Sequence, residues 1–148
     1  MTVIWHFKNF DELTTKELYE ILQLRAEVFV VEQNCPYNDI DGKDLKCGHL
    51  WAVLENKIIA CTRIVPPGVS YNEASIGRVA SHADYRHLKL GYQLMSHSLE
   101  IIENVYETTS VRISAQSYLK NFYEKCGFKQ VSEEYLEDDI PHMEMWRS

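Results

Sequence analysis

The chain has 148 residues, enough for one domain with a proper core, and its composition is that of an ordinary soluble globular protein. A formal charge of −7 excludes the dense basic face of a nucleic-acid-binding protein and suits a cationic or amine partner. No basic start followed by an apolar run marks a signal peptide, and no apolar stretch approaches the ~18 residues of a membrane span. No contact with a membrane is expected. The four cysteines (Cys35, Cys47, Cys61 and Cys126) form no CxxC pair, and without a secretion signal they read as reduced thiols of a cytoplasmic protein.

Taken in order, residues 3–7 (Val-Ile-Trp-His-Phe) are β-rich and predict a first strand. A helix follows from Thr14, which can cap it. Glu17 closes the capping box and Leu13 staples to Leu18. Leu18, Ile21, Leu22, Val28 and Phe29 form its apolar stripe, and Arg25, inside that stripe, reads as a snorkelling or ion-paired arginine at the edge of the core. Residues 31–48 are the longest irregular segment. Such loops are uncommon in compact domains and are often binding loops. Its acidic residues Glu32, Asp39, Asp41 and Asp44 read as a solvated loop. A calcium loop fails, because with Gly42 in sixth place Tyr37 would stand first and Gly48 twelfth.

A hairpin is predicted over 49–55 and 58–65, and Pro66-Pro67-Gly68 then breaks the chain before a third strand over 74–81. A basic loop leads into a long helix with Leu94, Ser98, Ile101 and Val105 in one row and Met95, Leu99 and Ile102 in the next. Residues 111–115 read as a strand, and Ser117 can cap a short helix over 118–125. Gly127-Phe128 opens a strand running to Tyr135, and a last strand lies near 142–147. The strands flanking the long helix should be parallel and the others antiparallel. The expected fold is α/β (α+β): a mixed, mostly antiparallel sheet of six to seven strands with helices on both faces, as a single domain over 1–148.

The chemistry-bearing stretch is the loop before the long helix. Arg86, His87 and Lys89 precede Gly91 at the helix start, where unpaired N–H groups and the helix dipole favour a phosphate or pyrophosphate. Neither GxGxxG nor GxxxxGK[ST] is present, which argues against the common nucleotide-binding classes. Arg86-x-x-Lys89-x-Gly91 resembles the [RQ]-x-x-G-x-[GA] signature of the GNAT superfamily of acyl-CoA-dependent N-acetyltransferases, with Lys89 where glycine is usual. Ala115-Gln116-Ser117-Tyr118-Leu119-Lys120-Asn121-Phe122-Tyr123-Glu124-Lys125-Cys126-Gly127-Phe128 resembles that superfamily's later helix, which carries a tyrosine and ends in Gly-Phe. Residues 24–37, Asp39-Ile40-Asp41-Gly42 and Ile140-Pro141-His142 resemble its ElaA-like branch.

The resemblance implies a splayed pair of parallel strands that admits acetyl-CoA, with coenzyme A as the product. The backbone of Val79 and Ser81, on either side of Ala80, would pair with the pantetheine arm. The loop Arg86, His87, Leu88, Lys89, Leu90 and Gly91, with Tyr92, would hold the pyrophosphate. Lys89 would meet a phosphate oxygen as a point charge. Asn121 and Tyr123 would face the cofactor. Direct attack needs a neutral amine, whose unperturbed pKa is ~10.4 for a lysine, as well as donors for the oxyanion and a proton for the leaving thiolate. The Val79 amide is the candidate oxyanion donor and Tyr123 the candidate proton donor. Glu32 or His142, or a water chain, would be the base.

Cys35 reads as a small buried thiol rather than an acyl relay, and Cys35, Cys47, His49 and His142 fit no standard zinc spacing. The leading expectation is thus an acetyl-CoA-dependent N-acetyltransferase acting on a primary amine. The alternative is a module that senses acyl-CoA without turnover. Exposed edge strands would permit a homodimer.

Overall fold

The computed structural model describes residues 2–148. The chain runs β1 (Ile4–Asn9), α1 (Thr15–Arg25), β2 (Gly48–Leu54), β3 (Lys57–Val65), β4 (Ser75–Ser81), α2 (Gly91–Tyr106), β5 (Val111–Gln116), α3 (Lys120–Lys125), β6 (Lys129–Gln130), β7 (Tyr135–Glu137) and β8 (Ile140–Arg147). The first helix begins as its sequence dictates. Glu17 donates its backbone N–H to the Thr14 hydroxyl at 3.1 Å, and its carboxylate accepts the Thr14 N–H at 2.9 Å. Beyond Arg25 the helix does not stop. It widens into a π-helical stretch, Ala26–Glu32, that carries the chain to the edge of the sheet.

The strands form two four-stranded sheets. One is the antiparallel meander β1-β2-β3-β4; the other places β8 between β5 and β6, with β7 also on β8. The mostly antiparallel architecture with helices on both faces is the one expected, but two sheets of four strands stand in place of one sheet of six to seven, and one strand differs in detail. The strand predicted from Phe128 to Tyr135 is two short strands, β6 and β7, both laid against β8. A tight turn through Asp138 and Asp139, both at positive φ, joins β7 to β8.

Each face has its own core. Leu94, Met95, Ser98 and Ile102 of α2 pack with Ile59, Ile64, Ile113 and Met145, and the Ser98 hydroxyl meets that of Thr62 at 2.8 Å. On the opposite face Ile21 and Leu24 of α1, with Val28, pack against Trp51, Ile58 and Cys61. Val105, predicted to extend the apolar row of α2, is 48% exposed. Ser117 does not cap α3. The chain leaves β5 through a 3-10 turn, Ser117–Leu119, and the Ser117 hydroxyl is buried inside it.

Two further expectations are corrected. Arg25 lies in the interior, 1% exposed, rather than at the edge of the core. The acidic loop is not a solvated one, because it folds down onto three arginines. Arg25 reaches Asp39 at 3.0 Å and Asp44 at 2.7 Å, and Arg63 reaches Asp41 at 2.8 Å and Asp44 at 3.2 Å. Arg78 reaches the Asp39 carbonyl at 3.0 Å. The physical reason is mutual. A guanidinium inside an apolar stripe needs carboxylates, and the loop supplies them.

Candidate active site

Among the described residues the backbones of the two sheets are bridged at one place. Ala74 bridges Val111 in parallel, and the Arg112 N–H donates to the Ala74 carbonyl at 2.9 Å. Beyond that bridge β4 and β5 share no further pairing among the described residues, so the strands diverge. The gap is a cleft of about 920 Å³, walled by all of β4, by Ser114 and Gln116 of β5, by the π-helical stretch and the following loop, and by the β7–β8 turn.

β4 is irregular where it faces the cleft. Cys61 pairs with Ala80 and Arg63 with Gly77, so Arg78 and Val79 together oppose Thr62. This is a bulge, and it takes backbone groups out of the ladder. Arg78 adopts φ 51°, the left-handed region that an arginine rarely occupies. Its side chain is fastened from outside, lying over the Tyr37 ring at 5.6 Å, with Nε 2.7 Å from Asp39 Oδ1. That last contact is one of charge, since the Nε–H is not aimed at the oxygen.

At the open end of the splay, β4 runs through the turn Ala83–Leu88 into α2. Lys89 takes φ 53° and ψ 51°, so the backbone has the left-handed conformation natural to glycine although the residue is lysine. The first turn of α2 has no side-chain cap and no acidic residue, which leaves its N–H groups unpaired. A Cβ on Gly91 would stand 3.1 Å from the Phe122 ring, so glycine lets α2 begin tight against α3. Phe122 in turn packs on Tyr92 at 4.9 Å and on Tyr123 at 5.0 Å between ring centroids. Tyr123 is 7% exposed and lines the cleft, and burial pushes its phenol above the ordinary value, so it is protonated at neutral pH.

Comparison with known proteins identifies the family. The model of the acetyltransferase (GNAT) domain family matches residues 15–148. The chain belongs to the GNAT acetyltransferase family. It is 42% identical to protein ElaA of Escherichia coli over 145 residues, covering 97% of this chain and 95% of that one. The crystal structure of Escherichia coli ElaA superposes with a TM-score of 0.92 at 40% identity, covering 99% of this chain and all (100%) of that one. That of an acyl-CoA N-acyltransferase from Pseudomonas aeruginosa superposes at 0.95 with 44% identity, covering 99% and 100%. This GNAT protein is therefore an acyltransferase, and its family implies an acyl-CoA cosubstrate.

The other predicted residues of this acyltransferase divide clearly. Val79, Ala80, Ser81, Arg86, Tyr123, Glu32 and His142 all line the one cleft. His87, Lys89 and Tyr92 are exposed around the start of α2, Leu88 is half-buried, Leu90 is buried under the loop, and Asn121 is exposed on α3 outside the cleft wall. Arg86 does not stand free. Its guanidinium grips both oxygens of Glu32, one of them at 2.7 Å, and also donates to the Ser81 carbonyl at 3.0 Å. The hydrogen bond from Arg86 is the chief reason that the Glu32 carboxyl is held below its usual value.

His142 is 6% exposed, and its Nδ1 lies 2.7 Å from the Ile140 carbonyl. Cys47 and Cys61 are pushed up by burial, to about 11 and about 12, so both remain thiols, and Cys35 donates to the Asp138 carbonyl at 3.4 Å. That contact ties the front loop to the β7–β8 turn across the top of the cleft. Sequence reasoning passed over Arg63 and Arg78, and also Ser114, Tyr135 and Glu137 around His142. One signal for Ser114 was available. Val111, Ile113 and Ala115 alternate into the core, which turns Arg112, Ser114 and Gln116 to the other face.

Proposed function

We propose that this protein transfers the acetyl group of acetyl-CoA to a primary amine by direct attack on the thioester. The observation that carries the reading is the single Ala74–Val111 bridge. Strands joined at one end and open at the other leave β4 with an unpaired edge inside the cleft, long enough to receive the pantetheine amides as an added strand. The pyrophosphate then falls at the start of α2, within reach of the backbone from Arg86 to Tyr92 and of the Lys89 ammonium. Tyr123, on α3, stands on the cofactor's side, while Asn121 lies outside the cleft wall.

In the reaction the amine nitrogen attacks the acetyl carbon, the C–N bond forms, and the C–S bond breaks. The Val79 N–H, beside the bulge, donates to the oxyanion. Tyr123 gives its phenolic proton to the departing thiolate and regains one from solvent. His142 takes the proton that the amine must lose. Glu32 is the poorer base, because a carboxylate stabilised by a guanidinium binds protons weakly. Its service is to hold Arg86 until a phosphate arrives.

The test is release of coenzyme A thiol from acetyl-CoA over a panel of amines. Release that requires an amine supports transfer. Release with no dependence on any amine, or none at all although acetyl-CoA binds, favours a sensor. Tyr123→Phe should lower the rate by about a hundredfold. An unchanged rate at neutral and raised pH would remove Tyr123 from its role. Coenzyme A at about 100 times its dissociation constant should stabilise the protein by about 2.7 kcal/mol in thermal unfolding, and NAD should not.

A further inference from the structure

Where the β7–β8 turn walls the cleft, a buried histidine meets an acidic side chain. The Ile140 carbonyl can only accept, so the Nδ1 that lies 2.7 Å from it carries a proton, and Nε2 makes no hydrogen bond among the described residues. The polar atom beside Nε2 is Glu137 Oε2 at 3.4 Å. The other oxygen of Glu137 lies 3.4 Å from the Ser114 hydroxyl, which in turn meets the Tyr135 hydroxyl at 2.5 Å. The Tyr135 ring stacks beside His142, 6.3 Å between centroids. His142 is more than nine-tenths buried and lines the cleft.

The carboxylates of the cleft wall also divide. Glu32 is neutralised by Arg86 and Asp41 by Arg63, whereas Glu137 and its neighbour Asp138 have no lysine or arginine partner among the described residues. A nine-tenths buried imidazole nitrogen without a hydrogen bond, beside carboxylates with no lysine or arginine partner, marks a corner of the cleft that suits a cationic donor.

We propose that Glu137 and His142, with the Ser114–Tyr135 hydroxyl pair, form the subsite for the acceptor's ammonium group. The acceptor class is a primary alkylammonium with no carboxylate on the carbon that bears it. The proposal rests on the cleft being the site of acetyl transfer. An ammonium has three N–H donors, enough to satisfy Glu137 Oε2 and His142 Nε2 together. Nε2 then takes one proton, leaving a neutral amine with a free lone pair. The new imidazolium sits between the Ile140 carbonyl and the Glu137 carboxylate until it returns the proton to solvent. A carboxylate next to the amine would be forced against Glu137 and Asp138, so an α-amino acid is disfavoured.

The test uses coenzyme A itself, which carries no acetyl group, so that the ternary complex cannot turn over. Calorimetric titration of the coenzyme A complex with n-butylammonium should show binding, and glycine should bind at least tenfold more weakly. Glu137→Gln should weaken n-butylammonium at least tenfold while coenzyme A affinity stays within twofold, and Glu137→Asp should recover part of the loss. Nitrogen NMR of the amine-free protein at neutral pH should find His142 neutral with its proton on Nδ1. Unchanged n-butylammonium affinity in Glu137→Gln, or a doubly protonated His142 paired with Glu137, would overturn the subsite alone. Failure of the native protein to bind coenzyme A would overturn the reading of the cleft, and the subsite with it.

Discussion

Under the loop of residues 33–47, Arg25, Arg63 and Arg78 meet Asp39, Asp41 and Asp44, and at the centre the Arg25 side chain is 1% exposed. At the cleft mouth Arg86 and Glu32 meet alone, at 42% and 41% exposure. The chemical groups are the same and the consequences are opposite. Inside the cluster each charge is matched by groups that water cannot replace, so it fastens the loop to α1, β3 and the bulge of β4. At the mouth either partner can be rehydrated or re-paired, so the contact is one that a phosphate can take over. Burial decides which ion pair is architecture and which is exchangeable.

Breaking the buried set should have the largest effect. Arg25→Met strands Asp39 and Asp44 without their shared cation and should cost about 3–5 kcal/mol in denaturant unfolding. A loss below about 1 kcal/mol would mean that the loop is held by something else.

Acid attacks the same cluster more gradually. Burial is the largest single influence on the Asp41 carboxyl and would raise it. Hydrogen bonds from Arg63 and the Lys43 amide outweigh that and hold it at about 2. On Asp44 burial again acts first and upward, and Arg25 and Arg63 overcome it. Folded values that lie below the unfolded value of about 3.9 stabilise the protein above that pH. Stability should therefore be full near pH 5 and fall as pH drops from about 4 towards 2. A melting temperature flat across that window would contradict the pairing.

The exposed pair should behave differently. Glu32→Gln should change stability by less than about 1 kcal/mol, yet raise coenzyme A affinity several-fold by freeing Arg86. A fall in affinity would show Glu32 to be part of the binding surface rather than a stand-in for the ligand. Lys89→Gly should have the smallest effect. Glycine relieves a left-handed backbone, a gain of up to about 1 kcal/mol, while removing one cation from the phosphate loop and weakening coenzyme A slightly.

Much of the fold was legible because it is written locally. The Thr14–Glu17 capping box, the hairpin at Glu55-Asn56 and the period of α2 are each settled within a few residues. The start of α2 at Gly91 was legible for the same reason, since a glycine ahead of a periodic apolar run is a sequence-local device. Arg25 was misplaced because a charge in an apolar stripe gives no sign of how deep it lies when its partners are 14 and 19 residues away. Glu137 escaped notice for a like reason. It is one acid in an acidic tail until β7 folds back on β8 and sets it against His142.

The order of strands and helices, the motifs and the family belong to the sequence itself, because propensity, periodicity and turn chemistry act over short spans. The anchoring of Arg78 on the Asp39 carbonyl and the pairing of Arg86 with Glu32 depend on segments 39 and 54 residues apart meeting in space. Tertiary structure alone decided them. A charge's meaning is set by what surrounds it, and its surroundings exist only once the chain has folded.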